Sequence, residues 1–193
     1  MKRICVFTGS NPGTRPAYRA AAVALGELLA AREIELVYGG ARVGLMGALA
    51  DAAMAAGGKA IGVIPEGLKA KEVAHAGLDE LHIVGSMHER KAMMAELSDA
   101  FIALPGGVGT FEETFEILTW SVLGIHAKPI GLLDVDDYYS GLVHFIEHSV
   151  REGFFHAQHA AMLMREDDPG RLLEAFENYE PVVVQKWIEL DES

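Results

Sequence analysis

Ala100-Phe101-Ile102-Ala103-Leu104-Pro105-Gly106-Gly107-Val108-Gly109-Thr110-Phe111-Glu112-Glu113 passes from an apolar segment, through a glycine-rich turn, to the edge of Phe115-Glu116-Ile117-Leu118-Thr119-Trp120. The first five residues read as a buried strand and the last six as helix. Strand, glycine turn and helix N-terminus together make an anion site. The first N–H groups of the helix point outward without partners, and the helix dipole adds partial positive charge. Three glycines in the four positions 106–109 let the backbone approach a phosphate with no Cβ in the way. Two carboxylates, Glu112 and Glu113, follow directly behind.

The same pattern extends in both directions. Ile4-Cys5-Val6-Phe7 is a short strand ending at Thr8-Gly9-Ser10-Asn11-Pro12-Gly13, a loop by composition, and residues 16–32 have helical spacing. Ile34 to Tyr38 is a second strand ending at Gly39-Gly40; Gly44-Leu45-Met46-Gly47 opens a helix closed by Gly57-Gly58. Ala60 to Ile64 is the third strand, residues 66–79 read as irregular, and Leu81 to Val84 is the next strand. Ser86 to Leu97 is a helix leading into the opening stretch. Beyond it come a strand at Pro129 to Leu133, a helix from Tyr138 to Arg151, a strand at Ala161 to Met164 and a helix over 169–178. Strands that are continuous apolar runs, alternating with helices, predict a parallel sheet covered on both faces. The expected fold is a single-domain, doubly wound α/β protein over residues 1–180, followed by an acidic tail at 181–193. Ligands of such sheets bind beyond the carboxyl ends of the strands. The turns at Gly9-Ser10, Gly39-Gly40 and Gly106-Gly107 should therefore converge on one crevice, which makes Ser10 and Gly40 candidate ligand contacts.

The chain has 193 residues, half of them apolar, with 16 basic and 28 acidic residues and a net charge of −12. That charge argues against a general nucleic-acid or anionic-membrane surface. The single cysteine, Cys5, excludes an internal disulfide and reads as a small core residue. No segment has the length of a signal peptide or a membrane span, so a cytoplasmic location is expected.

Neither the G-x-G-x-x-G dinucleotide fingerprint nor a G-x-x-x-x-G-K-[ST] triphosphate loop occurs. This points to a ligand with a single phosphate; the competing reading is that the glycines only make tight strand-to-helix turns. Ser86 and Glu89 have capping-box spacing, which makes Glu89 structural. Arg90 and Lys91 then form a basic pair in a first turn, where the dipole disfavours cations. They are either a solvated face or, for Arg90, a group facing the crevice to meet an anion. Thr110 and Glu113 also have capping-box spacing, so Glu113 is either a cap partner or a catalytic acid. His144-Phe145-Ile146-Glu147-His148 matches the H-x-x-E-H pattern of one zinc protease class, but no third ligand accompanies it, and a solvated helix face is the expected reading. No metal or other cofactor is expected. The methionines at 46, 54, 93 and 94 are expected in the core or a subunit interface.

Pro105-Gly106-Gly107-Val108-Gly109-Thr110-Phe111-Glu112-Glu113 resembles the P-G-G-x-G-T-x-x-E signature of the LOG ("lonely guy") family, and Met87-His88-Glu89-Arg90-Lys91 resembles its M-H-x-R-K segment at the matching distance. The resemblance runs from about Ile4 to about Phe154 and takes in Gly39-Gly40, Gly44-Leu45-Met46-Gly47 and Leu123-Gly124-Ile125-His126. It implies a Rossmann-like fold and hydrolysis of the N-glycosidic bond of a nucleoside 5′-monophosphate, a cytokinin ribotide or AMP, to free base and ribose 5-phosphate. It assigns catalysis to Arg90 and Glu113. It assigns substrate contacts to Glu72, Lys91, the turn Gly106, Gly107, Val108, Gly109 and Thr110, and Thr119. It also implies a homodimer. The alternatives are a non-catalytic nucleotide-sensing module of the same superfamily, and a nucleotidase that would release inorganic phosphate.

Overall fold

The computed structural model describes residues 1–69 and 74–182. Seven strands form one sheet: β1 (Arg3–Phe7), β2 (Glu35–Tyr38), β3 (Ala60–Pro65), β4 (Glu80–Val84), β5 (Ala100–Ala103), β6 (Ile130–Leu133) and β7 (Leu163–Glu166). Their order is β4-β3-β2-β1-β5-β6-β7, and every pair is parallel. The chain builds outward from β1 to one edge and then returns to its other side at β5. That reversal leaves a crevice beyond the carboxyl ends of β1 and β5, where Phe7 is in register with Ala103.

The central strands β1, β2, β3, β5 and β6 are largely apolar because both faces are covered. The edge strands β4 and β7 carry Glu80, His82, Arg165 and Glu166 and are mostly half-exposed. Ile4, Val6, Leu36 and Ile102 pack against α1 (Pro16–Ala31), α2 (Gly44–Ala55) and α8 (Pro169–Glu177), through Leu25, Leu49 and Leu172 among others. Cys5, Phe7, Val37, Ile61 and Phe101 face the other way, against Met94 and Ala95 of α4 (Met87–Leu97) and Ile117 and Leu118 of α5 (Val108–Val122). Adjacent residues of β1 thus serve opposite layers, as the two-residue period of a strand requires. Cys5 lies in this core, where burial pushes its thiol well above the usual range and the charge of Glu113 adds to the effect.

The remaining helices are α3 (Glu66–Lys69), α6 (Ser140–Arg151) and α7 (Ala157–Ala160). Two expectations need correction. Residues 66–69 form a helical turn and not irregular chain. The last strand starts at Leu163, two residues later than expected, because α7 runs up to it: the Met162 N–H still donates to the His159 carbonyl at 3.1 Å. The tail expected at 181–193 lies, beyond Val182, outside the described residues. No helix among the described residues is long and apolar enough to cross a membrane.

Candidate active site

Main-chain hydrogen bonds tie three turns together at the switch point. The Gly9 N–H and the Thr8 hydroxyl both donate to the Pro105 carbonyl at 3.2 Å, and the Leu45 N–H at the start of α2 donates to the Gly9 carbonyl at 3.1 Å. The turn after β5 becomes α5 with Gly107 as N-cap, and the first ladder bond runs from the Phe111 N–H to the Gly107 carbonyl at 3.1 Å. The N–H groups of residues 107–110 precede that bond, so they are the unladdered donors of the helix start. Gly107 and Gly109 have open space where a Cβ would stand, whereas a Cβ on Gly106 would overlap the Thr110 hydroxyl.

Thr110 is therefore inside the helix, three residues past the N-cap, and its side chain is buried. It cannot form a capping box with Glu113, so the cap-partner reading of that carboxylate fails. Glu113, half-buried, lines the crevice instead. On α4 the capping reading holds. The Ser86 hydroxyl accepts from the Glu89 N–H at 3.1 Å, and the Glu89 carboxylate accepts from the Gly85 N–H at 2.7 Å.

Arg90, in the same first turn, is only 6% exposed. Its Nε donates to the Val63 carbonyl at 3.0 Å and its Nη2 to the Gly39 carbonyl at 3.2 Å. The carbonyls of Val63 within β3 and of Gly39 just past β2 thus compensate a cation that the helix dipole disfavours. Its Nη1 also meets the Met87 sulfur at 3.8 Å, and Arg90 lines the crevice.

Arg90, Glu113, Ser10 and the whole turn Gly106–Thr110 line one cavity of about 460 Å³. That volume suits a small-molecule ligand. The other sequence-predicted residues stand elsewhere. Gly40 is buried at the end of β2 with φ +75°, and its carbonyl accepts from the His75 N–H at 2.9 Å. Its neighbour Gly39 is the residue that meets the site, through Arg90. Lys91 points away from the cavity and joins α4 to α5, with Nζ 2.6 Å from Glu112 Oε1 and 2.9 Å from Glu116 Oε1. Burial alone would lower the Lys91 ammonium, but the hydrogen bonds to the two carboxylates outweigh it and the net shift is upward. Thr119 is exposed and donates to the Phe115 carbonyl at 2.7 Å; it lies by an apolar surface cavity with Phe145 and Phe154. Glu72 lies outside the described residues.

Sequence reasoning missed Tyr18, Met46 and Tyr138, which complete the cavity wall. The signal for Tyr138 was its place just past the carboxyl end of β6, where chemistry-bearing residues of a parallel sheet collect. Among the described residues no group of three or more His, Cys, Asp and Glu could hold a metal. His144 and His148 are both exposed on α6, with His148 Nδ1 3.8 Å from Glu152.

Fold and crevice together define a doubly wound α/β protein whose cleft opens at the sheet's switch point. The chain belongs to the LOG family: the family model described as "possible lysine decarboxylase" matches residues 46–176, and close relatives cover most of the chain. A probable cytokinin riboside 5'-monophosphate phosphoribohydrolase of Oryza sativa subsp. japonica is 51% identical over 94% of this chain and 80% of its own length. The cytokinin riboside 5'-monophosphate phosphoribohydrolase of Rhodococcoides fascians is 57% identical over 79% and 78%. One from Arabidopsis thaliana is 48% identical over 93% and 83%. Among solved structures, the molybdenum cofactor carrier protein of Chlamydomonas reinhardtii shares the fold, with a TM-score of 0.70 at 22% identity over 92% of this chain and 96% of that one.

Proposed function

We propose that this protein hydrolyses the N-glycosidic bond of a nucleoside 5′-monophosphate, releasing the free base and ribose 5-phosphate. The observation that carries the reading is a single cavity lined at once by an unladdered helix N-terminus, a carboxylate and a buried arginine. The relatives named as phosphoribohydrolases support it. The N–H groups of 107–110 hold the 5′-phosphate, which fixes the ribose beside Glu113. As the bond between C1′ and the base nitrogen breaks, its electron pair leaves with the base, and the sugar takes on oxocarbenium character that the Glu113 carboxylate stabilises. Water then adds to C1′; Glu113 orients it and accepts its proton, which passes on to the departed base. Arg90 acts by charge and hydrogen bonding on the leaving base or the bound anion, a guanidinium being a donor only.

AMP and a cytokinin ribotide are both substrates in this reading. The working unit is a homodimer, supported by exposed Leu123, Phe145 and Phe154 at 54, 64 and 89% exposure, an apolar surface beside Thr119. Light scattering on the purified protein checks the dimer. Product identification tests the reaction: free base with ribose 5-phosphate supports it, inorganic phosphate with nucleoside indicates a nucleotidase, and bound but intact nucleotide indicates a sensor.

A further inference from the structure

Two adjacent tyrosines grip the turn that precedes α5. The buried Tyr139 hydroxyl donates to the Leu104 carbonyl at 2.6 Å, and the Tyr138 hydroxyl donates to the Gly106 carbonyl. The Tyr138 ring stands edge-on to Tyr18 at 5.7 Å and to Tyr139 at 5.0 Å, and it lines the crevice. The backbone that delivers it is unusual: Asp136 and Asp137 are consecutive left-handed residues, at φ +53° and +58°, without being glycine. Such residues persist where surrounding contacts over-determine them. Here Arg15 lies 3.6 Å from the Asp136 carboxylate and Arg165 3.1 Å from that of Asp137, while the Tyr139 N–H donates to Asp134 at 2.7 Å.

The Gly106–Gly107 peptide joins two residues without side chains, so steric hindrance to a flip of that peptide is small. A flip would exchange the Gly107 N–H for the Gly106 carbonyl at the anion site, replacing a donor by an acceptor. Because a peptide is planar and trans, its N–H and C=O point to opposite sides. A phenol that holds the carbonyl therefore fixes the N–H as well. We propose that Tyr138 is a positioning residue of the phosphate turn, its hydroxyl locking the Gly106–Gly107 peptide in the orientation that offers the Gly107 N–H to a phosphomonoester. The inference rests on the phosphate-cradle reading above. It assigns Tyr138 a role in recognising the phosphate and not in bond breaking.

Tyr138→Phe keeps the ring and its packing and removes only the hydroxyl. Calorimetric titration with ribose 5-phosphate and steady-state kinetics with AMP test it, with thermal unfolding as a control for the fold. The expected result is a roughly tenfold rise in both Kd for ribose 5-phosphate and KM for AMP, with kcat within about threefold of wild type. Unchanged Kd and KM would overturn the role, as would a loss confined to kcat. Wild-type protein that neither binds ribose 5-phosphate nor releases base would overturn the cradle reading itself, and the proposal with it; wild type that does both while Tyr138→Phe matches it would overturn the proposal alone.

Discussion

Arg90 Nη2 donates to the Gly39 carbonyl at 3.2 Å, and a Cβ on Gly39 would overlap that same nitrogen. The absence of a side chain at residue 39 is thus what admits the guanidinium to its place between β2, β3 and the crevice. Gly39→Ala should move the guanidinium by about an ångström while costing about 1–3 kcal/mol of stability as local overpacking. If Arg90 acts on the ligand as proposed, a displacement of that size is expected to lower kcat/KM about a hundredfold or more. Kinetics alongside urea unfolding separate the two effects; wild-type turnover in Gly39→Ala would show that Arg90 needs no such fit.

Arg90→Lys keeps the positive charge but not the fork. A lysine ammonium is a point donor and cannot span the Val63 and Gly39 carbonyls while also facing the ligand. Turnover should fall about a hundredfold to a thousandfold, with far-UV circular dichroism unchanged. Activity within a few fold of wild type would mean that charge alone suffices at this position.

Lys91, Glu112 and Glu116 join the helix that carries Arg90 to the helix that carries Glu113. Lys91 is 8% exposed, so its pairs are partly shielded, that with Glu116 more than that with the exposed Glu112. A double-mutant cycle of Lys91→Met and Glu116→Gln, read by urea unfolding, should give a coupling of about 1–2 kcal/mol. Additive effects would show that the bridge contributes nothing to the packing of α4 on α5.

His126 makes stability depend on pH. Its Nε2 faces the Ile117 carbonyl at 3.0 Å and its Nδ1 accepts from the Lys128 N–H at 3.2 Å, a pattern that suits the neutral ring. Burial holds its imidazole below the usual 6.5. In the acidic window the unfolded chain binds this proton more readily than the folded one. The contribution to stability is therefore present above about pH 6.5 and is lost as pH falls through the depressed folded value. The difference in Tm between wild type and His126→Asn should shrink from pH 7.5 to pH 5.5. A difference that stays constant across that range would contradict the assignment.

The centre of the sheet was legible in the sequence because its strands are buried on both faces. Ile4 and Val6 feed one core and Cys5 and Phe7 the other, so the run is apolar without a break. The glycine turn after β5 was legible for a local reason, since strand, turn and helix start are contiguous. Contacts made across the fold were not. Lys91 and Arg90 are neighbours in one basic pair, yet α4 directs one to the crevice and the other to α5. Gly39 and Gly40 read alike in sequence, and it is the arrival of Arg90 from 51 residues away that ties Gly39 to the site. Tyr138 reaches Gly106 across 32 residues, by way of a left-handed backbone that nothing in a run of aspartates announces.

The most direct test compares wild type with Glu113→Gln on AMP and, separately, on isopentenyladenosine monophosphate, with base and ribose 5-phosphate separated by chromatography. Glu113 lines the crevice, and the substitution keeps its shape while removing its charge. The account predicts equimolar free base and ribose 5-phosphate from wild type, and at least a hundredfold slower release from Glu113→Gln at unchanged fold. Equal rates of release from the two proteins would contradict the assignment of the carboxylate, and intact nucleotide in both would contradict the reaction.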